Sequence, residues 1–216
     1  MRRRSSMVAR WAARVSLAAT LAAACAPAVR AQDSAASALP ARLGPAARAA
    51  IAQVIDTARA AGLPTGPLTA KAAEGVLKGA DDARIVSAVR ALAAALGEAR
   101  ATLGVDAGAA VLTAAASALR AGVTPASLRA FAHPAGGAPT DAPVLATALV
   151  TVVDLVAKGV PPDVASGSID QLLQRHAPES RYLTLRSEVE RDIRGGESPE
   201  AALTARLRDN LRQLSP

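Results

Sequence analysis

Three short segments constrain this chain more than anything else in it: RAGVTP at 120–125, AKGVPP at 157–162 and RGGESP at 194–199. Their glycines, Gly122, Gly159 and Gly196, stand 37 residues apart both times, and each is followed three positions later by a proline: Pro125, Pro162 and Pro199. The order of residues has a physical logic. A basic residue in the last turn suits the negative end of the helix dipole. Glycine takes the left-handed conformation that closes a helix, and an apolar residue after it, Val123 or Val160, packs back onto the closing turn. Thr124 or Ser198 caps the next helix, and proline fills its first position without losing a hydrogen bond. At the middle turn the cap position is Pro161, so that helix has no side-chain cap. RAAGLPTGP at 59–67 and LKGADD at 77–82 repeat the formula at less regular spacing, with Leu63 packing back.

Between these stops the apolar residues recur with the 3.6-residue period of helices, and no strand-like alternation appears. Helices are expected at about 45–61, 67–78, 83–103, from a cap at Asp106 to Ala121, from Pro125 through Phe131, and then at 143–158, 162–176, 178–194 and 199–214. The stripe Ile85, Val89, Leu92, Leu96 and Leu103 is the clearest, with Asp81 or Asp82 as its cap. The segment 143–158 is the most apolar and reads as a buried core helix, too short to span a membrane. The fold class is therefore all-α, with eight or nine helices in helical hairpins.

A step of 37 residues and two helices resembles tetratricopeptide-like arrays in size and architecture. The aromatic positions that mark those arrays are missing, aromatics being 1% of the chain, so no residue role transfers. Two readings stay open: an irregular α-solenoid-like array, or independent helices that share good end chemistry. Alanine-rich helix faces predict close helix packing, modest stability and a smooth surface without deep, aromatic-lined pockets.

The formal charge of +7 suggests a polyanion binder until the N-terminus is parsed. Residues 1–31 hold six arginines and no acid, in a basic segment followed by a short apolar, small-residue run. This is the pattern of a secretory signal peptide, with cleavage between Ala31 and Gln32. Residues 32–216 then carry 19 basic and 18 acidic residues, a net charge of +1, and nucleic acid is not an expected partner. Cys25 sits in LAAAC, which offers a lipid-anchoring alternative, although Ala22 stands where a large aliphatic residue is favoured. The expected organisation is signal peptide 1–31, a flexible mature N-terminus 32–42, a helical segment 43–132, a Pro/Gly-rich linker 133–142 and a helical segment 143–216, the two helical segments forming either one domain or two.

Residues suited to catalysis or metal binding are few. His133 lies in HPAGG and His176 at a helix end, neither with a metal-binding set around it. Glu188, Glu190 and Asp192 alternate with Arg186, Arg191 and Arg194, which reads as a solvated helix surface laced with ion pairs, Arg191 pairing with Glu188. No phosphate loop, no Gly-x-Ser-x-Gly elbow and no Cys–His pair is present, and no cofactor or metal is expected. The leading expectation is an exported, non-enzymatic helical protein that works through contacts with another envelope or periplasmic protein. One alternative is an exported hydrolase or lyase using Glu188, Asp192, His176 or His133. The other is an envelope lipoprotein anchored through Cys25. The oligomeric state is left open.

Overall fold

A computed structural model describes residues 39–214 except residue 136. Its helices are α1 (Pro45–Ala60), α2 (Gly66–Leu77), α3 (Asp82–Leu103), α4 (Ala109–Arg120), α5 (Pro125–Ala132), α6 (Ala142–Ala157), α7 (Pro162–Gln174), α8 (Glu179–Arg194) and α9 (Pro199–Gln213). No strand occurs among the described residues, and the fold is all-α.

The helix ends use one device repeatedly. At Gly122, Gly159 and Gly196 φ is +98°, +94° and +100°, and Gly62 and Gly79 are also left-handed. Each donates its N–H three residues back, and the next residue donates five residues back, as in Gly122 to Leu119 and Val123 to Ala118. These two bonds satisfy carbonyls that the helix leaves orphaned. Val123 and Val160 are then buried at 4% and 1% exposure. A sixth turn has the same bonds, His176 to Leu173 and Ala177 to Leu172, but here the left-handed residue is a histidine with φ +51°. Thr124, Asp81 and Ser198 cap α5, α3 and α9 by accepting from Ser127, Arg84 and Ala201, while Pro161 caps nothing with its side chain.

α4 starts later than expected. Gly108, and not Asp106, is its cap residue, because Gly104 ends α3 at φ +90° and the chain makes a further turn, Ala107 to Gly104, before the helix begins.

The helices pack as two rows. α4, α6 and α8 lie side by side in one row; α3, α5, α7 and α9 lie side by side in the other. Successive antiparallel pairs α4–α5, α6–α7 and α8–α9 are joined by the turns at Gly122, Gly159 and Gly196. The turns themselves stack. A Cβ on Gly122 would stand 3.1 Å from Cγ of Pro162, and one on Gly159 would stand 3.5 Å from Cγ of Pro199. In both cases the turn of one hairpin meets the proline that opens the second helix of the next. That equivalence, found twice in space, is what the 37-residue spacing means: the hairpins form a short solenoid.

At the start of the array α1 lies parallel to α3. The N–H of Gly44 donates to Asp82 Oδ2 at 3.0 Å at one end, and Arg100 Nη2 donates to the carbonyl of Gly62 at 2.7 Å at the other. Packing continues across the 133–142 segment, since α4 lies on α6 and α5 on α7. Thr140 fastens that segment to the end of α5, donating its N–H to Ala132 and its hydroxyl to Phe131.

Between the rows runs one core. Leucine, valine and isoleucine supply its bulk, with Leu96, Leu112, Leu128, Leu149, Ile169 and Leu203 fully buried. Ala99, Ala115, Ala118, Ala148, Ala165 and Ala202 are fully buried too, and their small side chains let neighbouring helices approach closely. Tyr182 and Phe131 are the largest buried side chains. The Tyr182 hydroxyl has no hydrogen-bond partner among the described residues, and burial pushes its phenol well above its ordinary value.

Candidate functional site

His176 and Asp192 are not gathered into one cleft. His133 is exposed just beyond α5, and His176 is exposed at the left-handed position that closes α7. Asp192 lies sixteen residues beyond His176, near the far end of α8, which at the rise of a helix is about 24 Å. No group of three or more His, Cys, Asp or Glu side chains placed to hold a metal occurs among the described residues. No helix of these residues is long and apolar enough to cross a membrane. Cys25, Ala31 and Gln32 lie outside the described residues.

The acidic stretch of α8 departs from the sequence expectation. Glu188 and Arg191 do not form an ion pair; the pairs run between helices instead. Glu190 receives Lys158, just past α6, at 2.9 Å, and Arg186 reaches Asp154 of α6 at 2.5 Å. Thr147 of α6 adds a hydroxyl bond to Glu179 at 2.7 Å. All three links join residues 32 apart, so they form a ladder along two parallel helices. Asp192 is gripped at both oxygens by Arg206 of α9, at 2.5 and 2.8 Å, and its side chain is only 11% exposed. The Arg206 guanidinium holds the Asp192 carboxyl below the usual carboxylate range, and the Lys158 ammonium does the same for Glu190. These carboxylates act as fasteners of the last hairpin. A general acid would need a raised pKa, and theirs are lowered.

What the fold does build is a groove. It runs across α4, α6 and α8, with the start of α2 at one end, and encloses about 840 Å³. Its walls are small and apolar: Ala109, Ala110, Ala114, Ala146 and Val153, with Pro64 and Pro67 at the α2 end. Val150 and Leu183 stand in it at 43% and 50% exposure. Here α6 departs from its reading as a wholly buried helix. Leu145, Leu149, Val152 and Leu155 are buried, but Val150 points to the groove, because only one side of α6 faces the second row.

The hydroxyls on the α4 and α6 walls are already spent. Thr113 donates to Ala109, Ser117 to Thr113 and Thr151 to Thr147, each to the carbonyl four residues back, and Thr147 donates to Glu179. Arg186, at the α8 edge, is engaged by Asp154. The groove therefore offers apolar contact and few free donors. It lacks the converging polar groups and aromatic lining of a small-molecule site. The surface is less smooth than composition suggested, because small side chains in adjacent helices leave troughs as well as close contacts. Val150, Leu183 and the wall alanines were not singled out by the sequence; the one signal was that α6 is more apolar than a single buried face requires.

Comparison with protein-family models, with curated proteins and with solved structures finds no match. Function has to be read from the geometry.

Proposed function

We propose that this is an exported, non-enzymatic helical protein that binds another envelope or periplasmic protein in the groove across α4, α6 and α8. The observation that carries the reading is the pair Val150 and Leu183, large apolar side chains left exposed in an otherwise small-residue apolar trough. Exposed apolar surface of this kind is costly in water and is relieved by a partner.

The spent hydroxyls narrow the partner's form. An extended segment laid in the trough would bring backbone groups against walls with few donors, and burying them unpaired costs free energy. A helix satisfies its own backbone and needs only an apolar face. The partner is therefore a helix with an apolar stripe, seated on the small residues of α4 and α6 and flanked by Val150 and Leu183. The separation of His176 from Asp192 and the lowered Asp192 carboxyl speak against a hydrolase or lyase built from these residues.

Export rests on the N-terminal pattern of residues 1–31 and on the near-neutral remainder. The test is paired affinity capture from the envelope fraction, with wild-type protein and a Val150→Glu/Leu183→Glu variant as baits. A partner held by the wild type and lost from the variant supports the reading. Equal capture by both baits, or no reproducible partner for either, refutes it.

A further inference from the structure

We propose that a second groove, between α7 and α9 in the other helix row, binds an oxyanion carried on an apolar chain: a long-chain carboxylate or phosphate monoester. The groove encloses about 600 Å³ and is lined by Arg175, Arg208 and Arg212 at one side and by Val164, Leu207 and Leu211 along its length. Two features make it a place for a ligand with both a head and a tail.

The first is charge. Arg175 closes α7, and Arg208 and Arg212 stand one turn apart toward the end of α9. Arg212 is engaged by Asp209, whereas the guanidinium groups of Arg175 and Arg208 have no ion-pair or hydrogen-bond partner among the described residues. Asp163 is the acid that also lines the groove, and it lies twelve residues before Arg175 on α7, about 18 Å away along the helix. On the other side of α9, Arg206 shows how an arginine here is satisfied by an oxyanion, with both oxygens of Asp192 in its fork. An incoming carboxylate or phosphate gives Arg175 and Arg208 the same contact, and bidentate charge-assisted bonds are the strong ones. It also offsets the repulsion of like charges facing one trough.

The second is the trough itself. Gly167 of α7 faces open space, since a Cβ placed there would meet nothing within 4 Å. The missing side chain leaves width over Val164 and Leu207 that a methylene chain fills. Free phosphate would gain nothing from that apolar floor, whereas a chain gains with each methylene it buries there. This site is independent of the trough across α4, α6 and α8, which lies on the other row of helices.

The test is calorimetric titration of the purified protein with decyl phosphate, held below its micelle concentration, beside inorganic phosphate and decanol. Decyl phosphate is expected to bind one per protein, and at least about tenfold more tightly than either the head or the tail alone. The double variant Arg175→Ser/Arg208→Ser, at two exposed positions, is expected to keep its circular dichroism spectrum and lose about tenfold or more in affinity. Leu183→Ser, in the other groove, should leave binding unchanged. Inorganic phosphate binding as tightly as decyl phosphate would overturn the proposal in favour of a free-anion site. So would an unaltered affinity in the double variant, a loss in Leu183→Ser, or the absence of saturable binding.

Discussion

Replacing Gly122, Gly159 and Gly196 one at a time with alanine separates backbone strain from the stacking of hairpin on hairpin. The three glycines share a left-handed backbone, with φ of +98°, +94° and +100°. Placing an L-residue there costs about 1–2 kcal/mol at each, and the loss of unfolded-state freedom is the same for all three. What differs is the next hairpin. At Gly196 the added Cβ meets nothing within 4 Å, since among the described residues no further hairpin packs on this turn. At Gly159 it meets Cγ of Pro199 at 3.5 Å, an ordinary contact. At Gly122 it meets Cγ and Cβ of Pro162 at 3.1 and 3.3 Å, and a proline ring fixed at the start of α7 has no flexible end to swing aside. Overpacking of this kind costs about 1–3 kcal/mol. Urea unfolding followed by far-ultraviolet circular dichroism is therefore expected to rank the losses Gly122→Ala first, with Gly159→Ala and Gly196→Ala close together. The excess at Gly122, taken against Gly196, should be at least about 1 kcal/mol. Equal losses at Gly122 and Gly196 would refute the stacking of these turns, and a costless Gly196→Ala would refute the left-handed backbone.

Other expectations follow from single features. His176→Gly should raise stability by about 0.5 kcal/mol in the same assay, since His176 alone among the non-glycine described residues has a positive φ; a loss would mean that the imidazole contributes something else. Tyr182→Phe should raise stability by about 1 kcal/mol, because it removes a buried hydroxyl that has no partner; a loss would reveal a bond to that hydroxyl. The carboxylates of Glu190 and Asp192 are held below their ordinary values of 4.5 and 3.8, so their contribution to stability is complete above those values and disappears as pH falls through the lowered folded-state ones. Urea midpoints should hold from pH 7 to about 4.5 and fall below it, and a Glu190→Gln/Asp192→Asn variant should show the shallower fall; parallel profiles would contradict this. Intact-mass analysis of the exported protein should find Gln32 at its N-terminus, whereas an acylated Cys25 would identify a lipoprotein.

Much of the fold was legible because the helix ends are written locally. A glycine with a positive φ, a threonine or serine cap and a first-turn proline each act within a few residues, so the turns at Gly122 and Gly196 could be read without knowing what lay beside them. Where two local signals competed, the reading slipped: Asp106 looked like a cap, but the turn after Gly104 carried the chain on to Gly108 before α4 began. The ladder Thr147–Glu179, Asp154–Arg186 and Lys158–Glu190 was not legible, because its 32-residue offset is set by how α6 and α8 slide against each other. Within α8 alone the same charges suggested intrahelical pairs. The trough was hidden for a related reason. Val150 lay in a segment read as a buried core helix and Leu183 was not singled out, and only the placement of α4, α6 and α8 in one row leaves them facing outward together.

The central claim is that the trough across α4, α6 and α8 is where a partner helix sits, and photo-crosslinking in living cells addresses it most directly. A crosslinking residue placed at 150 or at 183 is predicted to yield the same discrete adduct with one other protein, while one placed at the exposed Glu200, in the other row, yields none. Adducts from position 200 that match those from 150 and 183, or no adduct from either trough position, would contradict it.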